Sequence, residues 1–438
     1  MIKRLLVTTG VLLLLLRGGP LQADEGMRLT LAEAEKLAVK NNPELTTAVL
    51  TAAAAAQFPA EQRAAYLPAL TGNATGVVSE QGSRLAAGGL NNPIVYNRFA
   101  AGVSLSQLIT DFGRTTSLID MARLRADAQN QAAEQTRADI VFLTGQAYFS
   151  LLRSQAVLQV ARQTIAERQL VADQISTLAR SNLKSALDVS FANVNLDDAK
   201  LLLVQAENLV KAGQAQLATL LGVPGDTTFI LAEEPLPLPL PDRFDGLVSD
   251  ALRDRPELKR LHLELGAAEK FTRAEHALHY PTIGLLGAAG YVPKRPEPQS
   301  QGAQPPLMDH YGAVGINVTI PIFNGGLFKA RETEADLRAQ AAKQQLNDME
   351  AKVARDVRVA CLNEKTACDR VALTEQMLKQ AQTALDLAQS RYSLGLSSIV
   401  ELSQAQLNLT SAQISFASAR YDCQAQRLNV DYQVGALR

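Results

Sequence analysis

Apolar and polar positions alternate in residues 311–326, whose sequence is YGAVGINVTIPIFNGG. β-Branched apolar residues occupy every second position, namely Val314, Ile316, Val318, Ile320 and Ile322. Small or polar residues lie between them, so the pattern predicts a strand with one apolar face and one small, polar face. A half-buried strand of a soluble sheet and a strand of a membrane barrel both have this pattern. For one strand alone, the soluble interpretation is favoured.

The same pattern occurs earlier in the chain, in residues 99–106, as part of a repeat with an offset of 213 residues. Pairs of residues related by this offset include Pro43 and Pro256, Pro68 and Pro281, Gly113 and Gly326, and Gly222 and Gly435. Agreement at one fixed offset over the whole chain indicates a duplicated unit. We predict a first repeat at 24–221, a second at 243–438, and a Pro-rich, semi-rigid linker at 222–242.

Long helices are predicted to follow each alternating stretch. Residues 114–178 contain a single glycine and no proline, and residues 327–389 contain neither, which predicts helices about 100 Å long. The segments after them have a large residue at every seventh position, mostly with alanine three residues later. These large residues are Val189, Leu196, Leu203, Val210 and Leu217 in the first copy, and Leu402, Leu409, Phe416, Cys423 and Val430 in the second. The strict period predicts close-packed antiparallel helices with a left-handed supercoil.

Turns and strands complete each predicted repeat. Asn182 and Gly395 suit the left-handed conformation that ends helices, so each long helix is expected to reverse there. Before the strands we predict a helix at 31–40 and a second from Pro43 to about Ala64, with counterparts in the second repeat. The strands are placed at about 66–78, 98–108, 280–291 and 311–323, with hairpin loops at 79–97 and 292–309.

The first 23 residues have the pattern of a secretory signal peptide. Lys3 and Arg4 precede an apolar run from Leu5 to Leu16, which is too short for a membrane span. Ala23 offers a small residue for cleavage before Asp24. No other stretch approaches 18 apolar residues. The mature chain is therefore expected to be exported and to lack a transmembrane helix.

Composition and charge exclude some function classes. The formal net charge is −1, and removing the three positive charges of the leader leaves −4, with no basic stripe for nucleic acid. No P-loop, GxGxxG, HExxH or nucleophile elbow occurs. His276 and His279 lie three residues apart, and we interpret them as a solvated helix end rather than as metal ligands. We therefore expect neither an enzyme nor a resident cofactor or metal.

Three cysteines are present, Cys361, Cys368 and Cys423. The first two are seven residues apart on one predicted helix, about 10 Å of rise, which is too far for a disulfide. Counted from Gly395, Cys368 and Cys423 lie at nearly equal depth on antiparallel helices. A disulfide between them is possible in an oxidising compartment. We favour the alternative that they are small residues of the helix seam.

The leader, the duplicated helix–hairpin–long helix unit and the Pro-rich linker together resemble the outer membrane efflux protein family (TolC-like). The most specific stretch is RYSLGLSSIVEL at 391–402, which is similar to the family's periplasmic tip. The resemblance implies a homotrimer in which each chain gives four strands to a twelve-stranded outer-membrane barrel. The helices then form a coiled-coil tunnel across the periplasm. The four predicted strands agree with this expectation. Closed membrane barrels need at least about eight strands, so several chains would have to share one barrel.

The resemblance also implies a gate at the periplasmic tips. Glu401 occupies the position of a constricting carboxylate ring, Tyr392 that of a linking tyrosine and Asp188 that of a linking aspartate. The chain departs from the family twice, because Gln404 replaces a second aspartate and Ser397 replaces an arginine. The ring would then carry three charges per trimer rather than six, with weaker links. The alternative is that Glu401 is an ordinary solvated helix carboxylate.

The family function implied is a passive exit duct of the outer membrane, extending into the periplasm. Its tips would dock a periplasmic adaptor and an inner-membrane transporter. The expected docking residues are Asn182, Leu183, Lys184, Ser185, Leu394, Gly395, Leu396 and Ser398. The rival hypothesis is an exported soluble coiled-coil scaffold, which explains the seven-residue period but not the alternation that recurs in both halves. The sequence does not name the cargo.

Overall fold

The structure is a computed structural model that describes residues 27–78, 98–225, 227–241, 243–294 and 308–437. The predicted signal peptide, the loop at 79–97 and most of the loop at 292–309 lie outside the described residues. In the first half of the chain the elements are β1 (Met27–Leu29), α1 (Leu31–Asn41), α2 (Pro43–Ala55), α3 (Phe58–Ala64), β2 (Ala69–Val77), β3 (Arg98–Thr110), α4 (Arg114–Arg180) and α5 (Ala186–Leu221). In the second half they are β4 (Phe229–Leu231), α6 (Asp245–Asp254), α7 (Pro256–His276), β5 (Thr282–Lys294), β6 (His310–Thr319), α8 (Leu327–Ser393) and α9 (Ile399–Val434).

The predicted helix from Pro43 to about Ala64 is two helices in the structure, α2 and α3. Pro59 causes the break, because a proline in the first turn of α3 cannot donate to the preceding turn and its ring crowds the chain before it. Asn42 caps α2 with its side-chain oxygen, which accepts from the Glu44 backbone N–H at 2.8 Å. Other boundaries differ from the prediction by only a few residues.

The long helices pack along the seam that the seven-residue period predicts. In α5, Leu196, Val210 and Leu217 are buried, and so are Ala192, Ala199 and Ala206. The same holds in α9 for Leu402, Leu409, Cys423, Val430, Ala405, Ala412 and Ala419. Alanine at one seam position lets the backbones approach closely, and the large residue at the other fills the space. Helices dominate the described chain, as expected for a mainly α fold.

The larger sheet has the strand order β2–β3–β5–β6, and every neighbouring pair is antiparallel. Leu70, Leu105, Gly287 and Val314 lie in one row across it, and Thr71, Ser104, Ala288 and Ala313 form the next row. Directly paired residues share a face and successive rows alternate. Val103, Leu105, Val314, Ile316 and Val318 therefore share one face, whereas Thr71, Asn73, Ser104 and Asn317 lie on the other.

The edges of this sheet, β2 and β6, have no paired strand on their outer side within the described chain. β6 ends at Thr319 rather than near residue 323, because Pro321 has no N–H to give to a ladder. None of the helices in the described ranges combines the length and hydrophobicity that a membrane-spanning helix requires.

A second sheet, which the sequence pattern did not predict, joins β1 to β4 in parallel. Its strand β4 lies inside the predicted linker, and the sheet packs on α4. The Tyr148 side chain is fully buried beneath it, and its hydroxyl lies 3.0 Å from the Leu29 carbonyl oxygen and 2.7 Å from that of Ala232. Burial raises the pKa of Tyr148 to about 12, so the hydroxyl keeps its proton and can donate. Tyr148 thus holds the N-terminal strand and the linker against the long helix.

We expect Tyr148→Phe to lower the free energy of unfolding by about 1 kcal/mol, because it removes the hydroxyl that bonds the Leu29 and Ala232 carbonyl oxygens from α4. Cleavage by protease near β1 should also become faster. The matched control is Tyr66→Phe, which removes an exposed hydroxyl 3.0 Å from that of Thr116 and should change stability by less than about 0.5 kcal/mol. Equal effects of the two substitutions would contradict a holding role for Tyr148.

Cys368 of α8 and Cys423 of α9 form a disulfide, so the preference for two unbridged seam residues was wrong. The close packing of the two helices brings their Cα atoms within 4.7 Å of each other, inside the range that a disulfide can span. Cys361 is buried and unbridged. One turn from the disulfide, buried Glu364 lies 3.0 Å from Arg427, which also donates to the Leu238 carbonyl oxygen of the linker.

Candidate functional site

The two ends of the helix pairs farthest from the sheet have the same turn. The first tip, residues 178–188, contains the turn between α4 and α5, and the second tip, residues 391–401, contains the turn between α8 and α9. Asn182 and Gly395 take positive φ values of 57° and 75°. The Leu183 N–H donates to the Leu178 carbonyl oxygen, and the Leu396 N–H donates to the Arg391 carbonyl oxygen, each at 2.9 Å. Both turns are Schellman motifs, as expected from asparagine and glycine at these positions.

Asp188 forms its hydrogen bonds within the first tip. Its carboxylate accepts from the Ser185 backbone N–H at 3.0 Å and from the Ser185 hydroxyl at 2.8 Å. The Ser185 hydroxyl oxygen in turn accepts from the Asp188 N–H at 3.1 Å, which completes a capping box for α5. The pKa of Asp188 lies below its usual value, chiefly because of the Ser185 backbone bond, then its hydroxyl and the nearby Lys184 charge. Asp188 therefore stabilises the helix start as a carboxylate.

Glu401 stands at the matching position of the second tip but has different partners. Its backbone N–H donates to the Ser398 hydroxyl at 3.4 Å, whereas its carboxylate lies 3.6 Å from Arg391. The two side chains are 44% and 57% exposed, so solvent screens the pair and its contribution is small. One turn further, exposed Gln404 donates to the Asn408 side chain at 3.0 Å. The charge of Glu401 thus remains largely open to solvent.

Tyr392 connects the two tips. The Lys184 ammonium nitrogen lies 3.8 Å from the centroid of the Tyr392 ring. The Tyr392 hydroxyl is buried without a hydrogen-bond partner among the described residues, and so is that of Ser397. Asp188 and Tyr392, to which the resemblance assigns linking roles, form no hydrogen bond with each other in the structure. No pattern in the sequence pairs Lys184 with Tyr392, because they lie 208 positions apart and meet only where the two tips pack together.

Above the tips, four helices share a small apolar core. Its residues are Ala172, Ile175, Ala192, Leu196, Leu385, Ala388, Ile399, Leu402, Ala405 and Leu409, with Tyr392 packed against it. Asn195 donates to the Ser403 hydroxyl at 2.7 Å, and buried Arg168 donates to Gln406. The two helix pairs therefore pack as one bundle close to the tips.

The predicted solvated helix end at His276 and His279 faces α8. His276 lies 2.7 Å and His279 lies 3.4 Å from the carboxylate of Glu332, and both imidazoles are about half exposed. In the described ranges, no group of three or more His, Cys, Asp or Glu side chains could hold a metal ion.

Comparison with known proteins places this architecture in a family. The family described as outer membrane efflux protein matches residues 35–223 and 247–436, which is most of the chain. The chain belongs to the outer membrane efflux protein family. Its two matched segments each contain one tip and one β-hairpin. This membership removes the support for the rival hypothesis of a soluble scaffold.

This efflux-family chain is similar to several named outer membrane and secretion proteins. It is 26% identical over 406 residues to outer membrane protein TolC of Escherichia coli, with 91% of this chain and 80% of TolC covered. It is 25% identical to the toluene efflux pump outer membrane protein TtgC of Pseudomonas putida, with 90% and 80% covered. It is 23% identical to the alkaline protease secretion protein AprF of Pseudomonas aeruginosa, with 98% and 88% covered.

Solved structures share the fold. A membrane protein from Pseudomonas aeruginosa matches with a TM-score of 0.79 and 23% identity, over 92% of this chain and 93% of that one. The outer membrane protein VceC from Vibrio cholerae matches with a TM-score of 0.77 and 20% identity, over 92% and 96%.

Proposed function

We propose that the protein is the passive exit duct of a tripartite efflux or secretion system, located in the outer membrane and extending into the periplasm. The observation that supports this most directly is an open four-stranded sheet with one apolar face, continued by helices of 67 residues. At 1.5 Å per residue such helices are about 100 Å long. A sheet that lies in the membrane and continues into helices of this length is suited to a conduit that leads from the membrane across the periplasm.

In this proposal three chains close one barrel. The outer edges of β2 and β6 expose backbone N–H and C=O groups, and such groups cost several kcal/mol each in lipid. Pairing β6 of one protomer with β2 of the next satisfies both edges and gives twelve strands in a homotrimer. The face with Val314, Ile316 and Val318 would contact outer membrane lipid, and the face with Thr71 and Ser104 would line the lumen.

The tips are proposed to dock a periplasmic adaptor and, through it, an inner-membrane transporter that supplies the energy. Leu183, Leu394 and Leu396 are largely exposed at the two tips. Clustered exposed leucines on polar helices are typical of an interaction surface. The names of TtgC, an efflux pump protein, and AprF, a secretion protein, support either kind of system, and the class of cargo stays open.

Glu401 is proposed as the constriction of the closed duct, with three carboxylates per trimer. Such a ring favours cations. We expect Glu401→Ala to raise the conductance of the closed channel, because the shorter side chain widens the constriction, and to reduce its cation preference, because the carboxylate ring is lost. The measurement is single-channel recording and reversal potential in planar lipid bilayers. Glu375→Ala is the control, since it removes an exposed carboxylate of α8 away from the tip.

The same recordings test the proposed function itself. Purified protein should form long-lived channels with low conductance. If the unaltered protein forms no channels, the duct is contradicted. If it forms channels whose conductance and selectivity do not change in Glu401→Ala, only the constriction at Glu401 is contradicted.

A further inference from the structure

The first tip carries a positive charge, Lys184, at the position where the second tip has the uncharged Ser397. The family resemblance expects an arginine at position 397, where this chain has serine. The repeat offset of 213 residues relates position 397 to position 184, which is lysine. In the structure, the ammonium group of this lysine lies over the ring of Tyr392, in the tip that lacks the arginine.

We propose that Lys184 holds the gate closed through a cation–π contact with Tyr392, which joins the first tip to the second tip of the same chain. This inference rests on the proposed function, because it assigns a role to a residue of the same gate. Lys184 would then be a gating residue, in addition to its predicted place on the docking surface.

The hydrogen bonds of the neighbouring groups indicate that Tyr392 links the two tips through the face of its ring and not through its hydroxyl. The Tyr392 hydroxyl has no hydrogen-bond partner in the described chain. Asp188, the linking aspartate that the resemblance implies, uses its carboxylate to bind both donors of Ser185. The Lys184 charge also contributes, after the two Ser185 hydrogen bonds, to the lowered pKa of Asp188, so the ammonium that contacts the Tyr392 ring has a carboxylate in its neighbourhood.

Packing of the surrounding side chains also restricts the position of the Tyr392 ring. It is partly buried and packs against the apolar core of the four-helix bundle, which includes Leu402 and Ile399. Lys184 is partly buried as well. Partial removal from water strengthens the attraction between an ammonium group and an aromatic ring. The Arg391–Glu401 pair, by contrast, lies within the second tip and does not join it to the first.

In this proposal the duct opens when the two tips of each chain move apart, and this movement breaks the contact between Lys184 and Tyr392. At a partly exposed site a cation–π contact shifts an equilibrium roughly two- to fivefold. Three contacts open together in a trimer, so their loss should raise the open fraction on the order of tenfold or more. This effect is large enough to measure in single-channel recordings.

The experiment uses single-channel recording of the purified full-length trimer without an adaptor, so that docking does not contribute. Lys184→Met removes the charge and keeps the stem, and Tyr392→Leu removes the ring. Both are expected to raise the open fraction, and the double variant should open no more than either single one. Lys184→Arg keeps a cation over the ring and should stay closed.

Tyr392→Phe separates the two kinds of link, because it keeps the ring face and loses only the unpartnered hydroxyl. We expect it to open the channel far less than Tyr392→Leu. Equal opening by Tyr392→Phe and Tyr392→Leu would overturn the cation–π lock in favour of a hydroxyl link. An unchanged open fraction in Lys184→Met would overturn the role of Lys184. An open fraction in Lys184→Arg as high as that in Lys184→Met would also overturn it. These outcomes are distinct from failure of the proposed function, in which the unaltered protein forms no channel.

Discussion

Ile316→Arg is expected to prevent assembly of the protein in the outer membrane. Ile316 lies on the apolar face of β6, paired with Leu285, and is 69% exposed in the single chain. A charged residue on the lipid face of a barrel costs about 2–4 kcal/mol near the middle of the membrane, and a trimer incurs this cost three times. The measurement is the amount of trimer recovered from outer membranes with detergent, which should fall close to zero.

The matched control is Asn317→Arg, one residue further along the same strand. Asn317 lies on the opposite face, so its side chain would point into the lumen, where a charge meets water. This variant should assemble with nearly normal yield. Loss of assembly in Asn317→Arg with normal assembly in Ile316→Arg would mean that the faces are assigned the wrong way round.

Loss of the Cys368–Cys423 disulfide is expected to lower the free energy of unfolding by about 4 kcal/mol. The two cysteines are separated by 55 residues in the chain. The chain-entropy account of a closed loop of this size gives a value between about 3 and 5 kcal/mol. For a chain of 438 residues this corresponds to a fall in the unfolding midpoint on the order of 4 °C.

Thermal unfolding with and without a reducing agent measures this effect. Reductant should lower the midpoint of the unaltered protein to that of the variant with both Cys368→Ser and Cys423→Ser. That double variant should not respond to reductant. Because Cys361 is buried and unbridged, Cys361→Ala should keep the full response. A midpoint that reductant leaves unchanged in the unaltered protein would contradict a stabilising disulfide.

The long helices were the most predictable part of the fold. The sequence pattern predicts helices at 114–178 and 327–389, and the structure has Arg114–Arg180 and Leu327–Ser393. A seven-residue period sustained over many turns leaves few alternatives, because the same residues must stay buried along the whole seam. Alternation in the strands was equally informative, since a shift of one residue would exchange their two faces.

Short or partner-dependent features could not be predicted in the same way. β1 and β4 have three residues each, which is too few for a period, and their pairing joins segments about 200 residues apart that pack on Tyr148 of α4. The break between α2 and α3 had a signal in Pro59 that the prediction did not use. The disulfide depended on the direction of two side chains, which equal depth along the helices does not determine.

In the candidate site, too, the contacts of individual side chains could not be predicted from the sequence. Asp188 and Glu401 occupy equivalent positions in the two repeats, and the family resemblance assigns both of them to the gate. In the structure one caps its own helix and the other faces Arg391, because the neighbours of each tip differ. The pairing of Lys184 with Tyr392 depends on how the two tips pack, which neither the seven-residue period nor the repeat offset determines.

The central claim is that this outer membrane efflux protein forms a three-fold duct that crosses the membrane and the periplasm. Electron microscopy of the detergent-purified protein tests it most directly. The account predicts long cylinders with three-fold end views and a helical part about 100 Å long. Thin single rods that remain soluble without detergent would contradict it, because the sheet edges and the apolar face would then never have met a partner chain or lipid.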